Sequence, residues 1–581
     1  MTIQPSPAVI ILGQNSLPIA QKITSLLPGS IIYGLTNRTS NVDRNYTNFG
    51  DTLRELFAQG TPIIGICAAG ILIRTLAPML SNKRQEPPVL AVAEDGSAVV
   101  PLLGGLNGVN DFARQIATGL NVKAAITTTG DVRFGMVLEN PPPGYSLANP
   151  EYAKSFTSEM LAGTKVKLEG NAPWLSNSNL PIDANGKLSI LITEKSIPST
   201  PDRMVYHPRT LAIAIDDTTQ FTTDELITLI QQQLAAANLA TAAIAGIFAP
   251  NSVADDIRIH AIAKSLAIPA RFLSQNQLDV FLAQGYSTTQ ATVLTAVGAD
   301  GRLILSSPVM EIAMSASQPI DPNIGKPQGK LAIIGIGPGA SQWMSPQVKQ
   351  ILAEATDLVG YKTYLDLVGI LGGGKQRHES DNREELARAR AALDLAATGK
   401  YVAVVSSGDP GIYAMAAAVF EALDCEPKPE WNSVEIQVAP GISAMQAASA
   451  AIGAPLGHDF SVISLSDILK SWSIIEQRIT TAAQGDFAIA FYNPVSKERT
   501  WQLTAARDIL LRYRNPNTPV VLARNLGRMG EKVKVITLEQ LAPEQADMRT
   551  VILIGSSKTR IIPRPHGKVW VYTPRRYDED A

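Results

Sequence analysis

The sequence predicts an α/β protein built from several domains, and three observations carry that expectation. Its 581 residues exceed what one hydrophobic core can serve, so several units of roughly 150 residues each are expected. Short apolar runs of strand length alternate with helical patterns along most of the chain, the signature of largely parallel sheets. The composition, 45% hydrophobic and 18% charged, is that of a packed globular chain rather than a disordered one.

Charge and cysteine content narrow the function classes. The net charge of -2 balances 50 basic against 52 acidic residues with no long basic block, which argues against nucleic acid or an anionic membrane as partner. Cys67 and Cys425 lie far apart without metal-ligand spacing, so no metal site is expected. Such sparse cysteine usage fits a reduced, cytoplasmic setting. The opening residues MTIQPSPAVIILG carry no basic region ahead of an apolar stretch, so no signal peptide is expected. Leu234 to Pro250 is charge-free but interrupted by Asn238 and Gly246, and reads as a helix end, a turn and a strand.

In chain order, Ala8 to Gly13 reads as a strand, Pro18 to Leu27 and Asp51 to Gln59 as helices, and Pro62 to Ala69 as a buried strand. A helix over Gly70 to Leu80 precedes two strands, Val89 to Val92 and Ala98 to Leu103, paired around Asp95-Gly96. The glycine-rich stretch Gly104 to Asp111 then leads into a helix over Phe112 to Thr118 and a strand over Val122 to Thr128. The cluster Asn140-Pro141-Pro142-Pro143-Gly144 closes a first unit, 1–140. A less regular middle segment, 141–207, carries strand signals at Thr164 to Leu168 and Leu188 to Thr193. A further α/β subdomain, 208–314, shows strands at Leu211 to Ile215, Thr241 to Phe248 and Ala270 to Leu273, with helices at Thr223 to Ala236 and Ala254 to Leu266. The polar, Pro- and Gly-rich stretch 315–329 reads as a linker.

The C-terminal unit, 330–560, opens with the strand Leu331 to Ile336. The stretch it is organised around is Tyr401 to Tyr413, YVAVVSSGDPGIY: an uncharged strand to Ser407, the loop Gly408-Asp409-Pro410-Gly411, then a helical run over Ile412 to Leu423. Further strands are expected at Val434 to Val438, Phe487 to Tyr492, Val520 to Ala523, Val533 to Thr537 and Thr550 to Ile554. The later strands have less helix between them, which predicts two α/β lobes with a cleft between. A tail, 561–581, carries one strand-like run at Val569 to Tyr572.

Several strand ends run into small-residue loops, where open α/β sheets place ligands. Gly335-Ile336-Gly337-Pro338-Gly339-Ala340 superficially fits a dinucleotide fingerprint. However, the better helix start is Ser345-Pro346, several residues on, which removes the helix N-terminus a pyrophosphate needs. Ala439 to Ala444, Tyr492-Asn493-Pro494 and Ala523 to Arg528 leave strand ends in the same way. Together they predict a ligand gripped mainly by main-chain groups and packing.

The segments GIGPG (335–339), VGYKTYLDL (359–367), SSGDPGIYAMA (406–416), PGISA (440–444), GAPLGHDFSVISLSD (453–467), FYNPVSKERTWQL (491–503) and ARNLGRMGE (523–531) closely resemble the precorrin-3B C17-methyltransferase family of tetrapyrrole methyltransferases. The resemblance implies a two-lobed α/β methyltransferase domain, S-adenosyl-L-methionine as cofactor, and C17-methylation with ring contraction of (cobalt-)precorrin-3B. It also implies a precorrin substrate and a homodimer. By that likeness Pro338, Gly408, Asp409, Ile412, Ser443, Ala444, Asn493 and Leu526 line the cofactor site. His458 and Asp459 are the candidate catalytic groups, and Tyr361 and Lys362 would position substrate carboxylates.

The segments DTLRELFAQG (51–60), AAGILIRTLAP (68–78), VVPLLGG (99–105) and GVNDFARQIA (108–117) resemble the cobalt-precorrin-5A hydrolase family, which opens a lactone and releases acetaldehyde. Gly104, Gly105, Asn107 and Asn110 are its candidate substrate contacts, although the family's usual histidine after the glycine pair is replaced by Leu106-Asn107. The alternative is a methyltransferase whose N-terminal half is a non-catalytic tetrapyrrole-binding module.

Overall fold

The computed structural model describes residues 6–27, 29–216, 220–316, 318–380, 384–426 and 428–576. The last five residues of the expected tail therefore lie outside the described residues. No helix among the described residues is long and apolar enough to cross a membrane.

The first sheet has six strands in the order Arg44–Tyr46, Ile31–Leu35, Ala8–Ile11, Ile63–Ile66, Val89–Val92, Val99–Leu103, all parallel except the last. The central strands AVII and IIGI are buried on both faces, which is why they read as continuous apolar runs. The expected strand at Val122 to Thr128 does not form. Ala125 N–H reaches the carbonyl of Val99 at 2.8 Å, a single bridge, and the chain then turns into the short helix Thr129–Phe134. A four-stranded sheet (Tyr145–Leu147, Arg203–Pro208, Leu188–Ile192, Val166–Glu169) and a five-stranded one (Ala270–Leu273, Ile244–Pro250, Leu211–Ile215, Met310–Met314, Arg302–Ser306) follow.

The C-terminal unit holds two further five-stranded sheets. The first is wholly parallel, in the order Gln376–Ser380, Asp357–Tyr361, Tyr401–Ser406, Lys330–Gly335, Glu435–Ala439. Helices cover both of its faces, packing Leu393, Val404 and Val419 on one side and Leu352, Val405 and Leu365 on the other. Each such side chain contributes roughly 1.5–3 kcal/mol by leaving water. The second sheet is mixed: Phe460–Ser464, Ala488–Tyr492, Thr550–Ile554, Pro519–Arg524, Lys532–Thr537. Its two faces bury Phe491, Leu503 and Ile552 on one side, and Ala448, Val521 and Leu526 on the other.

Two local outcomes position the site. The helix expected from Ile412 begins instead at Met415, because residues through Ala414 are held as loop with Tyr413 at a left-handed φ of 52°. The helix Pro346–Glu354 starts at the expected N-cap, with Ser345 accepting from Val348 N–H. The tail strand Val569–Tyr572 pairs parallel with Gly453–Ala454 and antiparallel with Arg560–Pro563, and its Val571 is fully buried in the core of the second lobe.

Candidate active site

Three loops leave the carboxyl ends of adjacent strands in the parallel sheet, after Gly335, Ser406 and Ala439. They meet main chain to main chain. Gly337 and Gly408 exchange hydrogen bonds of 3.2 and 2.8 Å. Only glycine fits at two of the crossings. A Cβ on Gly335 would lie 2.9 Å from the nitrogen of Gly441, and one on Gly441 would meet the carbonyl oxygens of both Gly335 and Gly408. The carboxylate of Asp409 ties two of these loops, accepting from Gly411 N–H at 2.9 Å and from Gly441 N–H at 3.1 Å.

The second lobe closes against these loops. Arg528, on the loop after Pro519–Arg524, donates from Nε to the carbonyl of Pro338 at 2.6 Å and from its other end to Ser407 Oγ at 2.7 Å. Tyr492 accepts Met445 N–H at 3.0 Å, so the last residue of one strand holds the first turn of the helix Ala444–Ile452. Burial raises the Tyr492 pKa, outweighing the hydrogen bonds from Met445 and Ser443, and the phenol therefore stays neutral. Tyr413 crosses the gap as well, donating its hydroxyl to the carbonyl of Val462 at 3.0 Å.

The structure thus places most of the sequence-derived cofactor set on or beside the loops where the two C-terminal lobes meet. Pro338 and Gly408 lie on the touching loops, and Asp409 and Ile412 on the loop between them and the helix. Ser443 is buried and caps the helix Ala444–Ile452 in a full capping box, and an added Cβ on Gly408 would sit 3.8 Å from its Cα. Leu526 packs beneath this helix with Ala447 and Ala448. Asn493, left-handed at φ 51°, donates to Ser464 Oγ at 3.1 Å while its carbonyl accepts from Arg499. Tyr361 packs edge-on against Tyr364, which is near enough to Arg528 to feel its charge. Lys362 points outward, 3.5 Å from Glu379.

His458 and Asp459 are not brought to this cluster. They precede the strand Phe460–Ser464, whose far end carries Ser464 beside Asn493, and the separation along it is roughly 15–20 Å. His458 Nδ1 stands 3.7 Å from Asp459 Oδ2.

In the N-terminal half the candidate amides are occupied. Asn107 donates to the carbonyls of Arg84 and Glu86, and Asn110 donates to Asp131 at 2.5 Å. Asp131 is buried and also accepts from Arg114. Gly104 takes a left-handed turn (φ 78°) against Pro87, and Gly105 faces open space.

Arg528, Ser407, Tyr413 and Tyr492 are not among the residues that the sequence marks for the site, although each lies inside a segment that carries the resemblance. A charged residue placed within a glycine loop at a strand end, as in Asn525-Leu526-Gly527-Arg528, was the available signal.

The family described as tetrapyrrole (corrin/porphyrin) methylases matches residues 330–542, and cobalamin synthesis G N-terminal matches residues 51–131. The precorrin-3B C(17)-methyltransferase of Sinorhizobium sp is 48% identical over 249 residues, covering 43% of this chain and 97% of that protein. Cobalamin biosynthesis protein CobIJ of Mycobacterium bovis is 45% identical over 305 residues, covering 52% of this chain. This chain spans only 58% of that relative's length. A crystal structure of the methyltransferase CobJ, 48% identical, aligns with a TM-score of 0.40 over 42% of this chain and 100% of its own. The chain belongs to the tetrapyrrole methylases through its C-terminal unit, which here follows a cobalamin synthesis G N-terminal domain.

Proposed function

We propose that the C-terminal unit transfers a methyl group from S-adenosylmethionine to C17 of (cobalt-)precorrin-3B, with contraction of the ring, in cobalamin biosynthesis. The observation that carries this reading is the backbone-to-backbone meeting of the loops at Gly335, Gly408 and Gly441, closed from the other lobe by Arg528. Methyl transfer from a sulfonium is an in-line displacement that gains most from orientation and exclusion of water. Main-chain turns fixed by Asp409 and Arg528 provide orientation without a strong base, and the extended likeness to the Sinorhizobium enzyme names the substrate class. Pro338, Gly408, Asp409, Ile412, Ser443, Ala444, Asn493 and Leu526 would line the cofactor. Calorimetric titration of the intact chain with S-adenosylhomocysteine tests the site, and NMR location of a labelled methyl on the product tests the carbon. A label anywhere but C17 would sink the assignment of position. We also propose a homodimer, which light scattering of the intact chain tests.

For the N-terminal half, two readings stand: a cobalt-precorrin-5A lactone hydrolase and a tetrapyrrole-binding module without chemistry of its own. The second is favoured by one observation, the engagement of Asn107, Asn110 and Asp131 in hydrogen bonds within the fold. Water attack on a lactone needs a free base or acid and an oxyanion donor. Incubating the full chain with cobalt-precorrin-5A decides between them, since release of acetaldehyde would exclude a silent module.

A further inference from the structure

At the outer edge of the loop cluster stands a surface that the cofactor contacts do not use. Tyr413 is 49% exposed although its hydroxyl bridges to Val462, and it holds a left-handed φ that a bulky side chain rarely adopts. Its ring lies 5.5 Å from that of Tyr492. The ammonium of Lys470 sits 5.8 Å from the centroid of the same ring. Arg478, exposed on the helix Trp472–Gln484, places its charge near both Tyr413 and Lys470. Among the described residues neither cation has a carboxylate within ion-pair distance, unlike Lys330, Arg377, Arg390 or Arg524. Beside Lys470, Ile468 and Leu469 present aliphatic side chains that are 71% and 91% exposed.

We propose that Tyr413, Lys470 and Arg478 form the receiving face for the macrocycle, with the tyrosine ring and the Ile468–Leu469 tip against its flat surface and the two cations on its carboxylate side chains. The proposal rests on the methyl-transfer reading and specifies the substrate side of the same site. Two like charges held together with no carboxylate beside them among the described residues repel, and burial together with Arg478 lowers the pKa of Lys470. A polyanionic ligand removes that repulsion. A ligand that is flat and apolar in the middle and anionic at its rim complements an aromatic face, an aliphatic tip and a pair of cations. A tetrapyrrole polycarboxylate has that chemistry. A membrane surface or a second copy of the chain would use the aliphatic tip but would not need both cations beside the strained tyrosine.

The test uses the full chain and uroporphyrin III as a light-absorbing polycarboxylate probe, alongside S-adenosylhomocysteine. Lys470→Gln and Arg478→Gln should each weaken uroporphyrin binding about tenfold, and the double variant more, with affinity falling less steeply with salt than in the parent. Lys470→Arg should restore most of the loss. S-adenosylhomocysteine affinity should stay within about twofold throughout. Uroporphyrin affinity unchanged in the double variant would overturn the proposal. So would a change of oligomeric state, rather than of probe binding, on Leu469→Ser. Failure of the parent chain to bind S-adenosylhomocysteine would instead refute the methyl-transfer reading, and the two failures are read from different titrations.

Discussion

Arg528 donates to the carbonyl oxygen of Pro338 across 190 residues of sequence, and the same guanidinium reaches Ser407. One side chain from the mixed-sheet lobe thereby fixes two loops of the parallel-sheet lobe. Its aliphatic stem also lies where a Cβ on Gly339 would be, so loop and side chain interlock. Arg528→Ala should therefore loosen both loops. Charge-assisted hydrogen bonds contribute about 1.5–3 kcal/mol each, so S-adenosylhomocysteine affinity should fall at least about tenfold by calorimetry. Arg528→Lys keeps the charge but not the two-ended reach, and should recover only part of it. Equal affinities in all three proteins would show that the closure is irrelevant to the cofactor.

Gly441 and Gly408 should fail in different ways. A methyl on Gly441 meets main-chain oxygens from two neighbouring strand ends, which cannot move independently of the sheet. Gly441→Ala should cost about 3 kcal/mol or more, seen as a large drop in melting temperature and soluble yield. Gly408 has room: its nearest neighbour would be Ser443 Cα at 3.8 Å, and only its φ of 72° resists a side chain. Gly408→Ala should cost about 1 kcal/mol of stability yet place its methyl before the helix Ala444–Ile452, weakening the cofactor out of proportion. Parallel melting and titration curves separate the two effects.

Much of this arrangement was legible in the sequence, for a physical reason. A strand such as Tyr401–Ser406 is buried on both faces, so its residues are forced to be uncharged and half of them are valines, and its loop is forced toward glycine by backbone crossings. The strand Gln376–Ser380 was not legible. It lies at the sheet edge, all five residues, QRHES, are polar, and only pairing with Asp357–Tyr361 makes it a strand. The adjoining Asp357–Tyr361 was hidden by its buried aspartate. In the site, glycines and prolines announce the loops, whereas Arg528, although its place in a glycine loop is a local signal, acts through a carbonyl and a hydroxyl far away in sequence that no local pattern reveals. His458 shows the converse, since a polar pair within a matching segment need not face the loops.

Asp357 makes the acid stability of the first lobe depend on one carboxylate. Its side chain is 2% exposed and accepts from His378 at 2.8 Å, Lys400 at 3.0 Å and Thr356 at 2.8 Å. Burial alone would raise its pKa, but the hydrogen bonds from His378, Thr356 and Lys400 and the Lys400 charge outweigh it, and the net shift is downward. A depressed carboxyl stabilises the fold above its unfolded pKa, and that contribution is lost as pH falls through the folded value. Resistance of the parent to urea should fall progressively below about pH 4, the ordinary carboxylate range. Asp357→Asn should be less stable by roughly 1–3 kcal/mol at neutral pH and lose less on acidification. An unchanged acid limb in the variant would assign the pH dependence to other groups.

The tail strand Val569–Tyr572 connects stability to the site. Val571 shares a buried core with Ala447, Ala448 and Ile452, three residues of the helix whose first turn is held by Tyr492 and capped by Ser443. Thr573 reinforces the seat by bonding Thr559 and the carbonyl of Pro455, and its N–H reaches the carbonyl of Ala454. Removing residues 560–581 strips Val571 from that core, which costs about 1.5–3 kcal/mol for the side chain alone, and unpairs Gly453–Ala454. The melting temperature should fall, and S-adenosylhomocysteine affinity should fall with it because the amino end of the helix is no longer fixed from behind. Val571→Ala in the intact chain should produce a smaller version of both changes. If cofactor affinity held in both proteins while stability dropped, the helix would be set from the Tyr492 side alone, and the tail would support the lobe without reaching the site.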